Sequence, residues 1–261
     1  MTLVAVVTDI RHGPPERTKR GDRALPLLER FVTVANALRP DLALDLGDRI
    51  TDEDAASDRR RAAEVAGVLA GLDAPLVSLH GNHDLDHLSI SENAAILGQP
   101  AGHEAVALDG ATLLAWRAPW RLKEWPGPLI GGEDQRWLAE AIAAHAGPLV
   151  VASHAPADDL AAQRDNPWFA ERPDAATFET TAAVRAALAG REAIWLAGHV
   201  HHSRDTVRGG VRHVTLDSLV EDRGEGASGA FGLLRIEAGS MRWTVASVGR
   251  PARVAVDGPH G

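Results

Sequence analysis

Short apolar runs alternate with amphipathic stretches through the first third of the chain. Residues 3–10, 41–47 and 76–80 are apolar runs of the length of a buried strand. Between them, residues 23–38 and 55–72 place apolar side chains every three or four positions, which is the spacing of one helix face. Strands that alternate with helices in this way predict a parallel sheet in an α/β fold.

The rest of the chain adds hairpins to this pattern. Asp109-Gly110 separates two short strand-like segments and is a typical hairpin turn. We find no internal repeat and no linker, so we expect one domain over residues 1–256 and a frayed tail at 257–261. The further predicted elements are helices at 133–145 and 181–189 and strands at 104–108, 112–116, 149–153, 193–197, 211–216, 230–236 and 241–248.

Composition narrows the class of protein. The 261 residues are 45% hydrophobic and 24% charged, as in ordinary globular proteins. A net charge of −9 argues against a broad nucleic-acid surface. The absence of cysteine excludes disulfides, thiolate zinc sites and a cysteine nucleophile. The apolar runs are too short to cross a membrane, and no secretory signal is visible, so we expect a cytoplasmic protein with no membrane partner.

Polar residues cluster where the predicted strands end. In open α/β sheets, ligands bind at the carboxyl ends of the strands. Oxygen and nitrogen ligands without sulfur suit Mn, Fe, Zn, Co or Ni, and this sequence does not choose among them. The six strand-end side chains are too many for one tetrahedral ion and nearly sufficient for two ions that share a carboxylate. The number of bound ions, one or two, therefore stays open. The strand-end residues are Asp9, Asp48, Asn82, His154, His199 and His201.

These residues and their neighbours resemble the motifs of the calcineurin-like metallophosphoesterases. Order and spacing match over roughly residues 3–202, and the layout is most similar to the bacterial cyclic-nucleotide and glycerophosphodiester phosphodiesterases of that superfamily. The resemblance implies a four-layer α/β/β/α sandwich with two mixed sheets packed face to face. The chain has no tyrosine, which excludes the purple-iron subclass with its tyrosinate ligand. The motifs are Asp9, Gly47-Asp48, Gly81-Asn82-His83-Asp84, His154 and Gly198-His199-Val200-His201.

The resemblance also implies a role for each ligand. Asp9 and His201 would hold a first divalent transition metal ion, and Asp48 would bridge to a second. The second ion would be held by Asn82, His154 and His199.

The implied activity is hydrolysis of small phosphodiesters, nucleotide-like or glycerophosphodiester, by in-line attack of a metal-bound hydroxide. His83 would assist the leaving oxygen, and Asp84 would orient His83 or a metal-bound histidine. Trp168 and Phe169 closely follow His154 and are candidates for stacking on a nucleobase.

Two alternative functions stay open at this point. One is a nucleotide-diphosphate pyrophosphatase acting on ADP-ribose-like or CDP-alcohol-like substrates. The other is a catalytically silent protein that binds a metal or a phosphate ligand. In each case the partner is a small phosphate compound, and the sequence leaves a homo-oligomer open.

One residue departs from the family pattern. The first motif usually reads Asp-x-His, whereas this chain reads Asp9-Ile10-Arg11-His12. In an extended segment residues 9 and 11 point the same way, so Arg11 would occupy the histidine position. Arginine has no lone pair for a metal. Three outcomes are open: the first metal keeps fewer ligands, His12 turns in, or Arg11 replaces the metal's charge and binds phosphate. We expect a weakened or empty first metal site.

Overall fold

The computed structural model describes residues 1–119, 131–157, 166, 168–172, 175–178, 186–208, 210–237 and 240–249. Its α-helices are α1 (Ala24–Leu38), α2 (Ala55–Leu69), α3 (Ile90–Leu97) and α4 (Gly132–Ala144). Its strands are β1 (Thr2–Val7), β2 (Leu42–Asp45), β3 (Leu76–Ser78), β4 (Glu104–Leu108), β5 (Ala111–Ala115), β6 (Leu149–Ala152), β7 (Ala193–Ala197), β8 (Arg204–Arg208), β9 (Val211–Thr215), β10 (Ala230–Glu237) and β11 (Ser240–Ser247).

Two mixed sheets form the centre of the fold. The first has the strand order β11-β10-β1-β2-β3, and the second has the order β4-β5-β6-β7-β9-β8. Strands β1, β2 and β3 run parallel to one another, as do β5, β6, β7 and β9. The loops that follow these parallel strands therefore leave each sheet at its carboxyl edge.

Three layers of apolar contact hold the sheets and helices together. Val6, Leu44 and Leu196 belong to a buried cluster between the two sheets. A second cluster packs α1 and α2 on the outer face of the first sheet. A third packs Leu138 and Ile142 of α4 on the outer face of the second. The result is the four-layer α/β/β/α sandwich that the family resemblance implies.

Local signals explain where two of the helices begin. Asp54 caps α2, because its carboxylate accepts from the backbone nitrogens of Ala56 and Ser57. Ser89 and Glu92 form a reciprocal capping box at the start of α3. Every helix in the described part of the chain is too short or too polar to traverse a lipid bilayer.

The sequence pattern missed α3 and β8 and extended several elements too far. The helix α3 is only 8 residues long, and the strand β8 is a polar edge strand, so neither has strong periodicity. The first strand ends at Val7 rather than at residue 10, because Asp9 turns the backbone to a φ of 48°. Residues 186–188 of the helix predicted at 181–189 are helical. The rest of that helix and the tail at 257–261 lie outside the described residues, and the prediction of one domain over residues 1–256 stays a prediction.

Candidate metal centre

The candidate ligands lie in loops that follow β1, β2, β3, β6 and β7, at the shared carboxyl edge of the two sheets. Several of these residues have a left-handed backbone, which costs a non-glycine residue roughly 1–2 kcal/mol. Such strain persists only where the surrounding contacts impose it, and it concentrates at functional sites. The left-handed residues in these loops are Asp9, Arg11, Asp48, His199 and His201.

The motif glycines let these loops touch one another. A Cβ on Gly47 would lie 2.4 Å from the backbone nitrogen of Gly81, and a Cβ on Gly81 would lie 2.1 Å from Asp48 Oδ1. A Cβ on Gly198 would lie 1.9 Å from Thr8 Oγ1, which itself donates to Asp9 Oδ2. Glycine is therefore needed at these positions because a neighbouring carboxylate or backbone atom occupies the space of a side chain.

Three buried side chains form the core of the site. One ligand atom each from Asp48, His154 and His199 lies within 4.8 Å of the other two. His154 donates from Nδ1 to the carbonyl of Leu46 at 2.9 Å, which leaves Nε2 buried without a hydrogen-bond partner, 3.5 Å from Asp48 Oδ1. In the loop after β3, Oδ1 of Asn82 is also buried without a hydrogen-bond partner. Buried ligand-type atoms without a hydrogen-bond partner point to an ion, so these four residues fit a divalent metal.

The protonation states suit this use. Burial opposes ionisation of Asp48, but the adjacent His154 and His83 hold the pKa of its carboxyl well below its usual value. Burial, aided by the charge of His154, lowers the pKa of His199 to about 3. Burial alone would lower the pKa of His154, but Asp48 raises it to about 9. Asp48 and His199 therefore already have the ligand forms at neutral pH, whereas His154 must release a proton to bind a metal.

Asp9 and His201 lie beside this group and contact each other. His201 Nε2 is 3.0 Å from Asp9 Oδ1, and its Nδ1 is 2.8 Å from Glu221 Oε2. The other oxygen of Asp9 accepts from Thr8 Oγ1 and from the backbone nitrogen of His199. Glu221 is buried and orients the ring of His201, a role that the sequence did not reveal because it lies 20 positions further along the chain.

Asp84 supports the loops and not a histidine ring. Its carboxylate accepts from the backbone nitrogens of Gly81, Asp48 and Arg49, each at 2.9 Å. It also lies 3.0 Å from the buried Arg49 guanidinium, which pairs with Asp45 at 2.8 Å. The expected contact with His83 or a metal-bound histidine was wrong, because three converging backbone N–H groups hold this carboxylate. Its effect is to fix the loop that carries Asp48.

Arg11 points into the site and His12 points out of it. Arg11 is 1% exposed, and its Nη1 lies 3.5 Å from Asp48 Oδ2. Nε2 of His12 is 2.7 Å from Glu64 on α2, which directs the ring away from the site. Residues 9–11 are not extended, since Asp9 and Arg11 both have positive φ, yet both side chains are buried at the carboxyl edge.

His83 is the partly exposed histidine of the site. Its backbone nitrogen donates to Asp48 Oδ1 at 2.9 Å, and its ring Nε2 lies 3.9 Å from Asp48 Oδ2. Its Nδ1 contacts Asp52, which the sequence analysis did not single out although it lies four positions after Asp48. With Asp86, these two residues also form a half-exposed group of ligand-type side chains.

The two aromatic candidates lie next to the site. The ring of Phe169 is 5.2 Å from that of His199, and Lys19 Nζ lies 5.8 Å above the ring of Trp168. Nε1 of Trp168 is buried without a hydrogen-bond partner. The structure thus brings both side chains to this edge, and their stacking on a nucleobase stays a prediction.

Solved structures share this fold at low sequence identity. A dimetal phosphatase from Danio rerio aligns with a TM-score of 0.72 at 14% identity, over 94% of this chain and 95% of its own. The protein TT1561 of Thermus thermophilus aligns with a TM-score of 0.58 at 13% identity, over 95% and 99%. Phosphopantetheinyl hydrolase from Mycobacterium tuberculosis aligns with a TM-score of 0.51 at 16% identity, over 82% and 89%. No curated protein matches the sequence significantly.

The sequence itself assigns the family. The family model described as calcineurin-like phosphoesterase matches residues 2–203, which include every strand-end ligand described above. This chain belongs to the calcineurin-like phosphoesterase family.

Proposed function

We propose that this protein is a metal-dependent phosphoesterase that hydrolyses phosphodiester bonds of small molecules, nucleotide-like or glycerophosphodiester. The observation that carries the proposal is the buried group of Asp48, His154 and His199 beside Asn82, in which His154 Nε2 and Asn82 Oδ1 have no hydrogen-bond partner. A divalent transition metal ion bound there would lower the pKa of a water molecule toward about 7 and neutralise charge on the phosphoryl oxygens.

The protein's own residues supply the rest of the chemistry. His83 is 27% exposed, so its ring is open to solvent at the edge of the site, while its backbone is tied to Asp48 and its Nδ1 to Asp52. This geometry leaves Nε2 beside the metal-ligand group, 3.9 Å from Asp48 Oδ2, where it can give a proton to the departing alcohol. General acid catalysis of this kind typically contributes about 10²- to 10⁴-fold. Trp168 and Phe169 would hold a base or another flat group of the substrate.

Hydrolysis of bis(p-nitrophenyl) phosphate with added Mn²⁺ tests the proposal. We expect turnover by the wild-type protein and its loss in His154→Ala, together with loss of bound Mn²⁺. In His83→Ala we expect a fall in kcat of about 10²- to 10⁴-fold with Mn²⁺ retained. A suitable control is His145→Ala at the C-terminal end of α4, where the ring contacts the Ala141 carbonyl and the backbone carbonyl, which alanine keeps, accepts from Arg191.

The outcomes separate the candidate functions. No turnover with any of Mn²⁺, Fe²⁺, Zn²⁺, Co²⁺ or Ni²⁺, with the ion bound, would refute an esterase and favour a silent binding protein. Turnover of a nucleotide diphosphate with cleavage at the P–O–P bridge, and none of phosphodiesters, would favour a pyrophosphatase. A cytoplasmic location belongs to the same proposal, and localisation of a tagged full-length chain tests it.

A further inference from the structure

Arg11 brings a buried positive charge to the edge of the metal-ligand group. Its Nη1 lies 3.5 Å from Asp48 Oδ2, and its Nη2 lies 3.4 Å from Glu16 Oε2. Charge-assisted hydrogen bonds are normally about 2.7–2.9 Å, so both contacts are long. The Nε atom is buried and has no hydrogen-bond partner. The guanidinium is therefore only weakly satisfied by the protein and keeps donor capacity for an incoming oxyanion.

The backbone fixes this side chain in place. The Arg11 nitrogen donates to the Asp48 carbonyl at 3.0 Å, and Thr51 Oγ1 donates to the Arg11 carbonyl at 3.2 Å. The residue has a φ of 54°, and a Cβ on Gly21 would lie 2.6 Å from the Arg11 carbonyl oxygen. Close packing on this side means that Arg11 cannot leave the site without rearranging the loop.

The two oxygens of Asp48 face different neighbours. Oδ1 faces His154 and accepts from the His83 nitrogen, whereas Oδ2 faces Arg11. A dication at Oδ2 would lie next to the positively charged guanidinium of Arg11, and their repulsion is strong in a buried site. Within the described residues, the ligand group that contains Asp48 has only His154 and His199 as its other members.

From this arrangement we propose that the protein holds a single divalent ion, at Asp48, Asn82, His154 and His199, and that Arg11 takes the place of a second ion by binding a phosphoryl oxygen of the substrate. The inference rests on the proposed function and extends it, because it assigns the phosphate-binding residue and the number of ions. The planar guanidinium suits this task, since it can donate two parallel hydrogen bonds to one phosphate.

Metal stoichiometry gives the first test. The wild-type protein and Arg11→His are loaded with Mn²⁺ and freed of excess ion on a desalting column. The bound manganese per chain is then measured by elemental mass spectrometry. We expect one ion per chain in the wild type and two in Arg11→His, because the new imidazole supplies a ligand where a cation stood. Two ions in the wild type would overturn this inference and leave the proposed function intact. No ion in the wild type would overturn both.

Phosphate binding gives the second test. Isothermal titration of the Mn²⁺-loaded protein with inorganic phosphate should show Arg11→Gln binding about 10- to 100-fold more weakly than wild type, as expected for a lost charge-assisted contact. The matched control is Arg30→Gln, which removes the same charge from the exposed face of α1. Equal affinity in Arg11→Gln and wild type would overturn the inference.

A folding defect in Arg11→Gln would not block the test. Arg11→Lys keeps the buried charge but loses the paired donors, so we expect an intermediate phosphate affinity and still one ion. Lysine binding phosphate as tightly as arginine would show that the guanidinium does not make the contact and would overturn the proposal.

Discussion

Replacing Asp84 with asparagine removes the acceptor that joins two loops of the metal centre. The carboxylate receives three backbone N–H groups at 2.9 Å and contacts the Arg49 guanidinium at 3.0 Å, all within the buried interior. An amide keeps one acceptor oxygen and turns an N–H₂ group toward a backbone donor. One buried donor is then unsatisfied, which costs about 1–3 kcal/mol.

The ion pair adds to this cost. Breaking a buried pair costs about 3–5 kcal/mol when one charge is left alone, but Arg49 keeps its contact with Asp45 at 2.8 Å. Burial also raises the pKa of Asp84, which means that its charge is already partly unfavourable and is cheaper to remove. We therefore expect Asp84→Asn to lower the free energy of unfolding by about 2–4 kcal/mol. Because the Asp48 loop loses its support, Mn²⁺ affinity should fall about 10- to 100-fold.

Urea unfolding at pH 7 and calorimetric titration with Mn²⁺ measure the two effects. The control is Asp205→Asn, which breaks an ion pair with Arg212 whose two side chains are 42% and 27% exposed. Exposed pairs contribute about 0–1 kcal/mol, so this variant should unfold almost as the wild type does. If Asp84→Asn lost no more stability than the control and bound Mn²⁺ normally, the support assigned to Asp84 would be refuted.

Three further changes probe other parts of the site. Gly198→Ala should reduce Mn²⁺ affinity at least about tenfold in calorimetry, because its Cβ would lie 1.9 Å from Thr8 Oγ1; unchanged affinity would contradict the close approach. Asp52→Asn should lower kcat on bis(p-nitrophenyl) phosphate about 10- to 100-fold with Mn²⁺ content unchanged, since it holds the His83 ring; a loss of metal instead would give Asp52 a different role. Burial raises the pKa of Asp217 to about 6 from 3.8, so its contribution to stability is present below pH 4 and is lost as pH rises through 6. Asp217→Asn should remove this pH dependence. The unfolding free energy of the variant minus that of the wild type should therefore increase by about 2–3 kcal/mol between pH 4 and 7. Parallel curves of unfolding free energy against pH for the two proteins would refute the raised pKa.

Local sequence pattern was sufficient for most of the architecture. Apolar periodicity and turn residues placed β1, β2, β6, β7 and the main helices, because burial of one face imposes a period that can be read from neighbouring residues. The four-layer arrangement with two sheets followed from the family resemblance, and the order of the strands in each sheet came only from the structure. The short α3 escaped detection, although Ser89 and Glu92 carried a capping signal at its start.

The strand-end rule also assembled the candidate ligands. Asp48, His154 and His199 end three strands that are far apart in sequence, and the parallel sheets bring those ends to one edge. Sequence order alone therefore predicted which side chains would meet, since the direction of parallel strands fixes where their carboxyl ends lie.

Only the tertiary structure decided how the supporting residues act. Arg11 enters the site and His12 leaves it because the backbone takes positive φ at Arg11, a conformation imposed by packing against the loop after β2. Glu221 orients His201, and Asp84 binds the Asp48 loop, through contacts that join distant parts of the chain. Such contacts leave no periodic trace in the sequence, because they depend on the three-dimensional position of one side chain and not on a repeated pattern.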